Sequence, residues 1–226
     1  MSNNPEREPN QVAPQMASAT ATAEASQIGV MYSVSISVAQ AQVVAVSTSE
    51  EIITRAASLL LQTVIVPGAN ISEGRLIEAV AVPWFDIIAF LKTDPTIAFQ
   101  IAWEKWEEIV AGAYTRAGFE EVILTPRSGD SGRDVIATKR GIGSVRVIDQ
   151  VKAFKPGHLV SANDVRALYG VVELDAAAKG FLSTTSDFVP KIKSDPLLQK
   201  AIPSRIQLIN GRKLFARLEE LAKGKP

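Results

Sequence analysis

Three polar residues lie in two apolar runs that are joined by the glycine-rich turn GIG. Asp134 opens the first run, and Gln150 and Lys152 lie near the end of the second. A carboxylate and an amide carbonyl supply the hard oxygen ligands that Mg²⁺ prefers, and Mg²⁺ usually keeps waters that a phosphate can share. A lysine beside them could activate a bound water or stabilise charge on phosphorus. These residue types predict metal-dependent hydrolysis of a phosphodiester.

The turn between the two runs decides whether these side chains meet. A three-residue turn, with Gly143 in the left-handed conformation, would put Asp134 opposite Gln150. Because side chains alternate along a strand, Lys152 would lie on the same face. A slip of one residue in the register would separate Asp134 from the other two side chains.

The composition excludes several other kinds of site. The 226 residues include no cysteine, so disulfides, thiolate nucleophiles and cysteine metal sites are excluded. The one histidine, His158, rules out a multi-histidine zinc site and argues against a Ser-His-Asp triad. It follows a Pro-Gly pair, which predicts an exposed loop position.

The charges sum to zero but are unevenly distributed. From residue 100 onward the chain holds 20 of its 24 Lys and Arg residues and 15 of its 24 Asp and Glu residues. This basic excess is compatible with a polyanionic partner. Neither a signal peptide nor an apolar run long enough to span a membrane is apparent, so we expect a cytoplasmic protein that makes no membrane contact.

Three regions can be distinguished along the chain. Residues 1–27 are rich in small and polar residues and are predicted to be a disordered tail. Residues 28–95 predict a small N-terminal region of strands and helices. Its strands are expected within residues 28–46, and its helices within TSEEIITRAASLLLQTVI and ISEGRLIEAVAVPWFDIIAFLKTD, the second being interrupted near Pro83.

Residues 96–226 predict a larger domain. Its first helix, AWEKWEEIVAGAYTRAGF, has Trp103 and Trp106 on an apolar stripe and is stopped by Gly118. A strand (EVILTP), the hairpin of Asp134–Lys139 and Val145–Phe154, and a helix with Ser161 and Asp164 in a capping box follow. The remaining elements are expected in FLSTTS (strand), DPLLQKAI (helix), SRIQLIN (strand) and RKLFARLEELAKG (helix). This order predicts an α/β fold, with a mixed sheet of about five strands flanked by helices on both faces.

The stretch from about Trp84 to Leu221 resembles the catalytic domain of Mrr-like type IV restriction endonucleases, a branch of the PD-(D/E)xK nuclease superfamily. The resemblance runs in the same order through WEEIVAGAYTRAGFEEVILTPRSGDSGRDVIA, QVK, VRALYGVV, AKGFLSTTSDF and IQLINGRKL. In that family the second acid of the motif is replaced by Gln in a Q-x-K signature. The resemblance implies a restriction-endonuclease-like core.

The resemblance also implies roles for individual residues. Asp134 would bind the metal, and Gln150 would contribute its side-chain oxygen. The backbone carbonyl of Val151 would be a further ligand. Lys152 would be the catalytic lysine. Glu107 matches the acid that the family carries on a helix, although the run WEKWEEI also offers Glu104 and Glu108 and is typical of a charged outer face.

Four more residues are candidates for contacts with DNA or within loops. Asp130 matches the acid that starts the family's D-G-G-x-D segment, although it could also be a turn former. Arg133 departs from the apolar residue of that segment and could contact a phosphate. Thr184 and Thr185 lie where a strand ends, where hydroxyls could bind phosphate but are also common for structural reasons.

Together these features predict a Mg²⁺-dependent endodeoxyribonuclease that restricts foreign or modified DNA, with Mn²⁺ able to substitute. A two-fold homodimer would suit cleavage of both strands. Two alternatives remain open: a catalytically silent nuclease fold that binds DNA or a partner protein, and a structure-specific nuclease such as a junction resolvase. Residues 28–95 show no helix-turn-helix, zinc site or base-flipping pocket from which specificity could be read.

Overall fold

The computed structural model describes residues 49–126 and 132–223. The chain divides into two compact units, Met1–Ile53 and Thr54–Pro226. In the first unit only residues 49–53 are described, as part of a helix. The fold below is therefore that of the second unit. The predictions for residues 1–27 and 28–46 and for Asp130 fall outside the described residues, and the predicted division of the chain into regions stays a prediction.

Helices and strands are interspersed along the second unit, with a run of three strands after its third α-helix. Two short 3₁₀ helices, Pro95–Phe99 and Pro190–Ser194, complete the set of helical elements in the described ranges. No helix within these ranges is both long and apolar enough to cross a bilayer. The α-helices are α1 (Ser49–Leu61), α2 (Val82–Thr93), α3 (Trp103–Arg116), α4 (Ala162–Leu174), α5 (Pro196–Ala201) and α6 (Gly211–Ala222). The strands are β1 (Ile65–Ile71), β2 (Gly74–Val80), β3 (Glu121–Leu124), β4 (Val135–Arg140), β5 (Ser144–Lys152), β6 (Lys179–Thr184) and β7 (Ile206–Ile209).

The described strands form one mixed sheet of seven, in the same order as in the chain. Each pairing from β1 to β5 is antiparallel, whereas β5–β6 and β6–β7 are parallel. A parallel pair needs a crossover connection, and α4 supplies it between β5 and β6. The predicted α/β class and mixed sheet are confirmed. The sheet has two strands more than expected because β1 and β2 join it.

Helices cover both faces of the sheet, as predicted. One face packs against α2, α3 and α6, around Trp84, Trp106 and Tyr114, all of which are fully buried. The other face packs against α4 and α5, around Leu168 and Leu182. The β5 strand therefore has a helical layer on each side. Its odd-numbered and even-numbered side chains enter different environments.

The prediction of a helix over residues 71–80 is wrong, because this stretch forms the β1–β2 hairpin. Ile71 pairs with Gly74 around a two-residue turn. Gly74 has φ +146°, and a Cβ at this position would lie 2.1 Å from the carbonyl oxygen of Leu124. Only glycine allows so close an approach of β2 to β3. A contact with a strand some 50 residues away thus overrides the local helical pattern.

Two further expectations near these helices have different outcomes. Pro83 does not interrupt a helix but lies in the first turn of α2, where a missing N–H costs little. Gly118 follows α3 with φ +75° and ends it as predicted. Trp106 is buried and donates its indole N–H to the carbonyl of Ala98. Trp103, which is predicted on the same apolar stripe and so in the core, is instead 49% exposed, because it is the first residue of α3.

Replacing Gly74 by alanine should lower the free energy of unfolding by about 2 kcal/mol or more, because the new Cβ meets the main chain of β3 at a positive φ. Gly143→Ala is the matched control, since that glycine also lies in a hairpin turn and has no neighbouring atom within 4 Å. Urea unfolding followed by circular dichroism measures both. Equal stability of the two variants would contradict the close approach of β2 to β3.

Candidate active site

The pairing of β4 with β5 has the predicted register. Arg140 pairs with Ser144 and Val135 with Asp149, as the three-residue turn predicts, whereas the pairing of Asp134 with Gln150 lies beyond the last of these pairs and stays a prediction. The main-chain N–H of Asp134 donates at 3.2 Å to the carbonyl of Asp149, the residue that pairs with Val135, so the regular ladder ends at Val135 and Asp134 lies just beyond it.

The turn that joins β4 to β5 does not have the predicted conformation. Gly143 is not in the left-handed conformation, and the main-chain N–H of Gly141 bonds the carbonyl of Gly143. The register holds because the ladder of six paired positions specifies it independently of the turn.

The carboxylate of Asp134 lies over the end of β5. Its Oδ2 accepts a hydrogen bond of 2.6 Å from the main-chain N–H of Val151, the residue between Gln150 and Lys152. The structure therefore brings Asp134 to the same end of β5 as these two side chains. Strand alternation directs Gln150 and Lys152 to the α4 face, which Ile148 shares.

Gln150 contributes an acceptor that has no partner. Its Oε1 is buried and receives no hydrogen bond from any residue that the structure describes. The amide nitrogen Nε2 of the same side chain lies close to Gly132. A Cβ added to that glycine would be only 3.2 Å from this nitrogen. A buried carbonyl oxygen without a donor is costly unless something else satisfies it. A cation would do so.

Lys152 ends β5 with its side chain about a quarter exposed. Its Nζ lies 3.7 Å from Oδ1 of Asp164, at the start of α4. The carbonyl of Lys152 accepts hydrogen bonds from the hydroxyl of Thr184 at 2.7 Å and from the N–H of Thr185 at 3.3 Å. The hydroxyl of Thr185 donates to the carbonyl of Phe154. Both threonines are buried, and their hydroxyls hold the end of β5 in place.

Arg133 belongs to a group of ion pairs behind the candidate site. It bonds Asp175, just after α4, at 3.0 Å, and Arg146 bonds the other oxygen of Asp175 at 2.8 Å. Arg146 also pairs with Glu73, in the β1–β2 turn, at 2.5 Å. The group links β5, the loop before β4, the β1–β2 turn and the end of α4. Arg133 thus has a structural contact, and the predicted contact with phosphate stays a prediction.

Glu107 faces a cavity of about 540 Å³ at the side of the site. Glu104 and Glu108 line the same cavity, together with Thr125. Thr125 bonds the carbonyl of Asp134 through its main-chain N–H at 3.1 Å, so the cavity wall adjoins the site. Glu108 pairs with Lys105 at 2.8 Å. The assignment of Glu107 as the helix-borne acid stays a prediction.

His158 is exposed, as predicted, and stacks on Phe154 with ring centroids 4.2 Å apart. It lies in the loop after β5 and belongs to neither strand of the hairpin.

Asp149, for which the sequence motifs predict no role, is a fully buried carboxylate on the face opposite Gln150. Its Oδ2 accepts hydrogen bonds from the hydroxyls of Tyr114 at 2.8 Å and Ser183 at 3.2 Å, while its Oδ1 has no partner among the described residues. Burial raises the pKa of Asp149 to about 7, against the opposing effects of the Arg217 charge and the two hydrogen bonds. The sequence does carry a signal for the burial of Asp149, because the alternation in VIDQVK puts it on the same face as the apolar Val147.

The oxygen atoms at the end of β5 are suitable ligands for a hard divalent cation. They are the carboxylate of Asp134 and the unpartnered amide oxygen of Gln150, both oxygen ligands of the kind that Mg²⁺ prefers. No group of three or more His, Cys, Asp or Glu side chains suited to a metal occurs within residues 49–126 and 132–223. A site here would therefore depend on the amide of Gln150 and on main-chain oxygen as well as on acid.

A model of the Mrr catalytic domain, described as a restriction endonuclease, matches residues 99–218. The chain belongs to this family of restriction endonucleases. The family generally depends on a divalent metal ion. The match extends from before α3 into α6 and includes Asp134, Gln150, Lys152 and Glu107. The β1–β2 hairpin lies outside the matched stretch, although it pairs within the same sheet.

Two solved structures are similar to this restriction endonuclease domain. One is the MspJI restriction endonuclease in complex with a 27-mer oligonucleotide, and the other is the DNA modification-dependent restriction endonuclease AspBHI. Each is 18% identical with a TM-score of 0.40 over 63% of this chain. The alignments cover 31% and 36% of the two proteins, so the chain spans about a third of each. No curated protein matches the chain.

The raised pKa of Asp149 predicts how the stability of the metal-free protein depends on pH. The unfolded carboxyl ionises at about pH 4 and the folded one at about pH 7, so between these values the folded state binds more protons. Stability should therefore fall as the pH rises through this window. Asp149→Asn keeps an acceptor for Tyr114 and removes this slope, which amounts to at most about 1.4 kcal/mol per pH unit.

Urea unfolding of the wild type and Asp149→Asn at pH 5, 6, 7 and 8 measures the effect. The difference between the two proteins isolates Asp149, because other titrating groups contribute to both curves. The variant should gain stability relative to the wild type as the pH rises. Parallel curves would show that Asp149 ionises normally in the folded state.

Proposed function

We propose that this chain is a Mg²⁺-dependent endonuclease that hydrolyses DNA phosphodiesters in the restriction of foreign or modified DNA. The observation that carries the proposal is the hairpin register, which gathers Asp134, Gln150 and Lys152 at one end of β5. Family membership supports nuclease activity on DNA. A cytoplasmic location and a two-fold dimer, with one site for each strand, belong to the same proposal.

In the proposed site, Asp134 and Gln150 hold the cation through their side-chain oxygens. The carbonyl of Val151 and the carboxylate of Glu107 complete the set of protein ligands. The bound Mg²⁺ would lower the pKa of a coordinated water and neutralise charge on the phosphate. Mn²⁺, which accepts similar oxygen ligands, should substitute. Gln150 adds an oxygen without adding a second negative charge beside Asp134, so the metal-free site carries less repulsion than a pair of acids would.

Lys152 has a different role. Its ammonium group would hold the attacking water by a hydrogen bond and direct it in line with the scissile bond. As charge develops on the phosphoryl oxygens, the same ammonium would stabilise it. Its main chain is anchored to β6 through Thr184 and Thr185, so the lysine extends from a rigid strand end. No histidine is needed for this chemistry, which agrees with the composition.

Asp134→Ala and Lys152→Ala should each lower Mg²⁺-dependent cleavage of plasmid DNA by at least about two orders of magnitude. Lys139→Ala is the matched control, because Lys139 is an exposed lysine in the same hairpin and pairs with Val145 near the turn. It should cleave like the wild type. Cutting by both site variants at the wild-type rate would refute the site assignment.

The substrate set for this experiment also separates the alternatives. Matched methylated and unmethylated plasmids, linear duplexes and branched junctions are incubated with Mg²⁺ or Mn²⁺. A strong preference for junctions would indicate a structure-specific nuclease. DNA binding that weakens with salt, without cleavage of any substrate, would indicate a silent binding module.

Gln150→Ala should raise the Mg²⁺ concentration needed for half-maximal cleavage by about tenfold, because one oxygen ligand is lost while Asp134 remains. Titrating Mg²⁺ at a saturating DNA concentration measures this shift. DNA affinity, measured with Ca²⁺ in place of Mg²⁺, should stay near the wild-type value. A lower maximal rate with an unchanged Mg²⁺ requirement would mean that Gln150 does not bind the metal.

A further inference from the structure

The ammonium group of Lys152 faces a second carboxylate that the nuclease motif does not include. Asp164 lies in the first turn of α4, with its Oδ1 3.7 Å from Nζ of Lys152. The side chains are 27% and 28% exposed, so both groups are partly shielded from water. The separation is that of an ion pair and is longer than a direct hydrogen bond. Lys152 therefore has a charged partner at the distance where an ion pair restricts its direction.

Asp164 is itself held firmly. Its Oδ2 accepts hydrogen bonds from the main-chain N–H of Ser161 at 2.9 Å and from the Ser161 hydroxyl at 2.6 Å. The main-chain N–H of Asp164 donates in return to the Ser161 hydroxyl oxygen at 3.3 Å, which completes a capping box at the start of α4. Since Ser161 occupies Oδ2, the other carboxylate oxygen is directed at Lys152. Burial raises the pKa of Asp164, but the Ser161 hydrogen bonds and the Lys152 charge outweigh it, so the pKa is lower than usual.

The main chain and the side-chain ammonium of Lys152 are thus held by different elements. Thr184 and Thr185 of the β6 end bond its carbonyl, and Asp164 of α4 attracts its ammonium. A free lysine side chain loses considerable rotamer entropy when it is fixed for catalysis. The carboxylate of Asp164 orders the Lys152 side chain in this way before DNA binds.

We propose that Asp164 is a positioning residue for the cleavage reaction, which holds the ammonium group of Lys152 at the end of β5. The proposal rests on the proposed function of Lys152. Capping alone does not require this arrangement, because a cap needs no cation beside it. A partly exposed ion pair also adds little to stability. The consequence of the contact is therefore the direction of the lysine.

Three variants test this role. Asp164→Asn removes the charge in nearly the same volume. Asp164→Glu keeps a carboxylate and is also a favourable capping-box residue. The matched control is Asp195→Asn, because Asp195 also caps a helix, α5, through Leu197 and also pairs with a cation, which is Arg166 of α4. A purely structural role predicts that the two Asn variants behave alike.

The first readout is steady-state cleavage of DNA with Mg²⁺, combined with DNA affinity in Ca²⁺. Asp164→Asn should lower kcat about tenfold while DNA affinity stays within about twofold, because a group that orients a catalytic residue is affected and no DNA contact is lost. Asp164→Glu should recover most of kcat, and Asp195→Asn should retain it. An unchanged kcat in Asp164→Asn, with active wild type, would overturn the proposal.

The second readout does not require nuclease activity. Limiting amounts of an amine-acylating reagent are added to the folded protein, and labelling of Lys152 is quantified by mass spectrometry against Lys139. Labelling should rise about twofold or more in Asp164→Asn, because the ammonium is released from the carboxylate, and should not change in Asp195→Asn. Equal labelling in all proteins would overturn the ion pair even if the wild type proved inactive. An inactive wild type with increased labelling would overturn only the nuclease function.

Discussion

Main-chain hydrogen bonds between β4 and β5 hold the central oxygen ligands of the candidate site in place. The ladder from Arg140 and Ser144 to Val135 and Asp149 brings Asp134 to the end of β5, where the N–H of Val151 donates to its carboxylate. Because side chains alternate with a period of two, a slip of one residue would turn Asp134 to the opposite face. The site therefore depends on a backbone register more than on any contact between its side chains.

The same alternation explains the unusual environment of Asp149. A strand that presents Gln150 and Lys152 to the α4 face must present its odd-numbered residues to the core beneath α3 and α6. At Asp149 that core contains Tyr114 and Ser183, whose hydroxyls donate to one oxygen of the carboxylate, while the other oxygen has no partner within residues 49–126 and 132–223. The buried acid is costly when ionised, and its raised pKa is the expression of that cost. Adjacent residues of β5 thus carry two buried oxygens, one on each face, that find no partner in the described part of the chain.

Much of the domain after residue 96 could be predicted, because its local and tertiary preferences agree. The helix α3, the β4–β5 hairpin, the capping box of α4 and the order of strands all follow from periodicity, caps and turn residues. Residues 71–80 could not be predicted in this way. Their pattern suits a helix, but pairing with β3 and the close approach at Gly74 favour a strand. The partner of Asp164 was also hidden, since the capping box is visible in the sequence whereas Lys152 reaches it only across a strand and a loop.

The sequence by itself determined the chemical groups of the candidate site and the pairing of the hairpin that carries them. Asp134, Gln150 and Lys152 are close along a single hairpin, and a hairpin is specified by local pairing over a short loop. Tertiary structure decided the rest: that β1 and β2 extend the sheet, that Thr184 and Thr185 anchor the end of β5, and that α4 brings a carboxylate to Lys152. Those contacts join residues from distant parts of the chain, and they exist only because burial of the two apolar faces packs the helices onto the sheet.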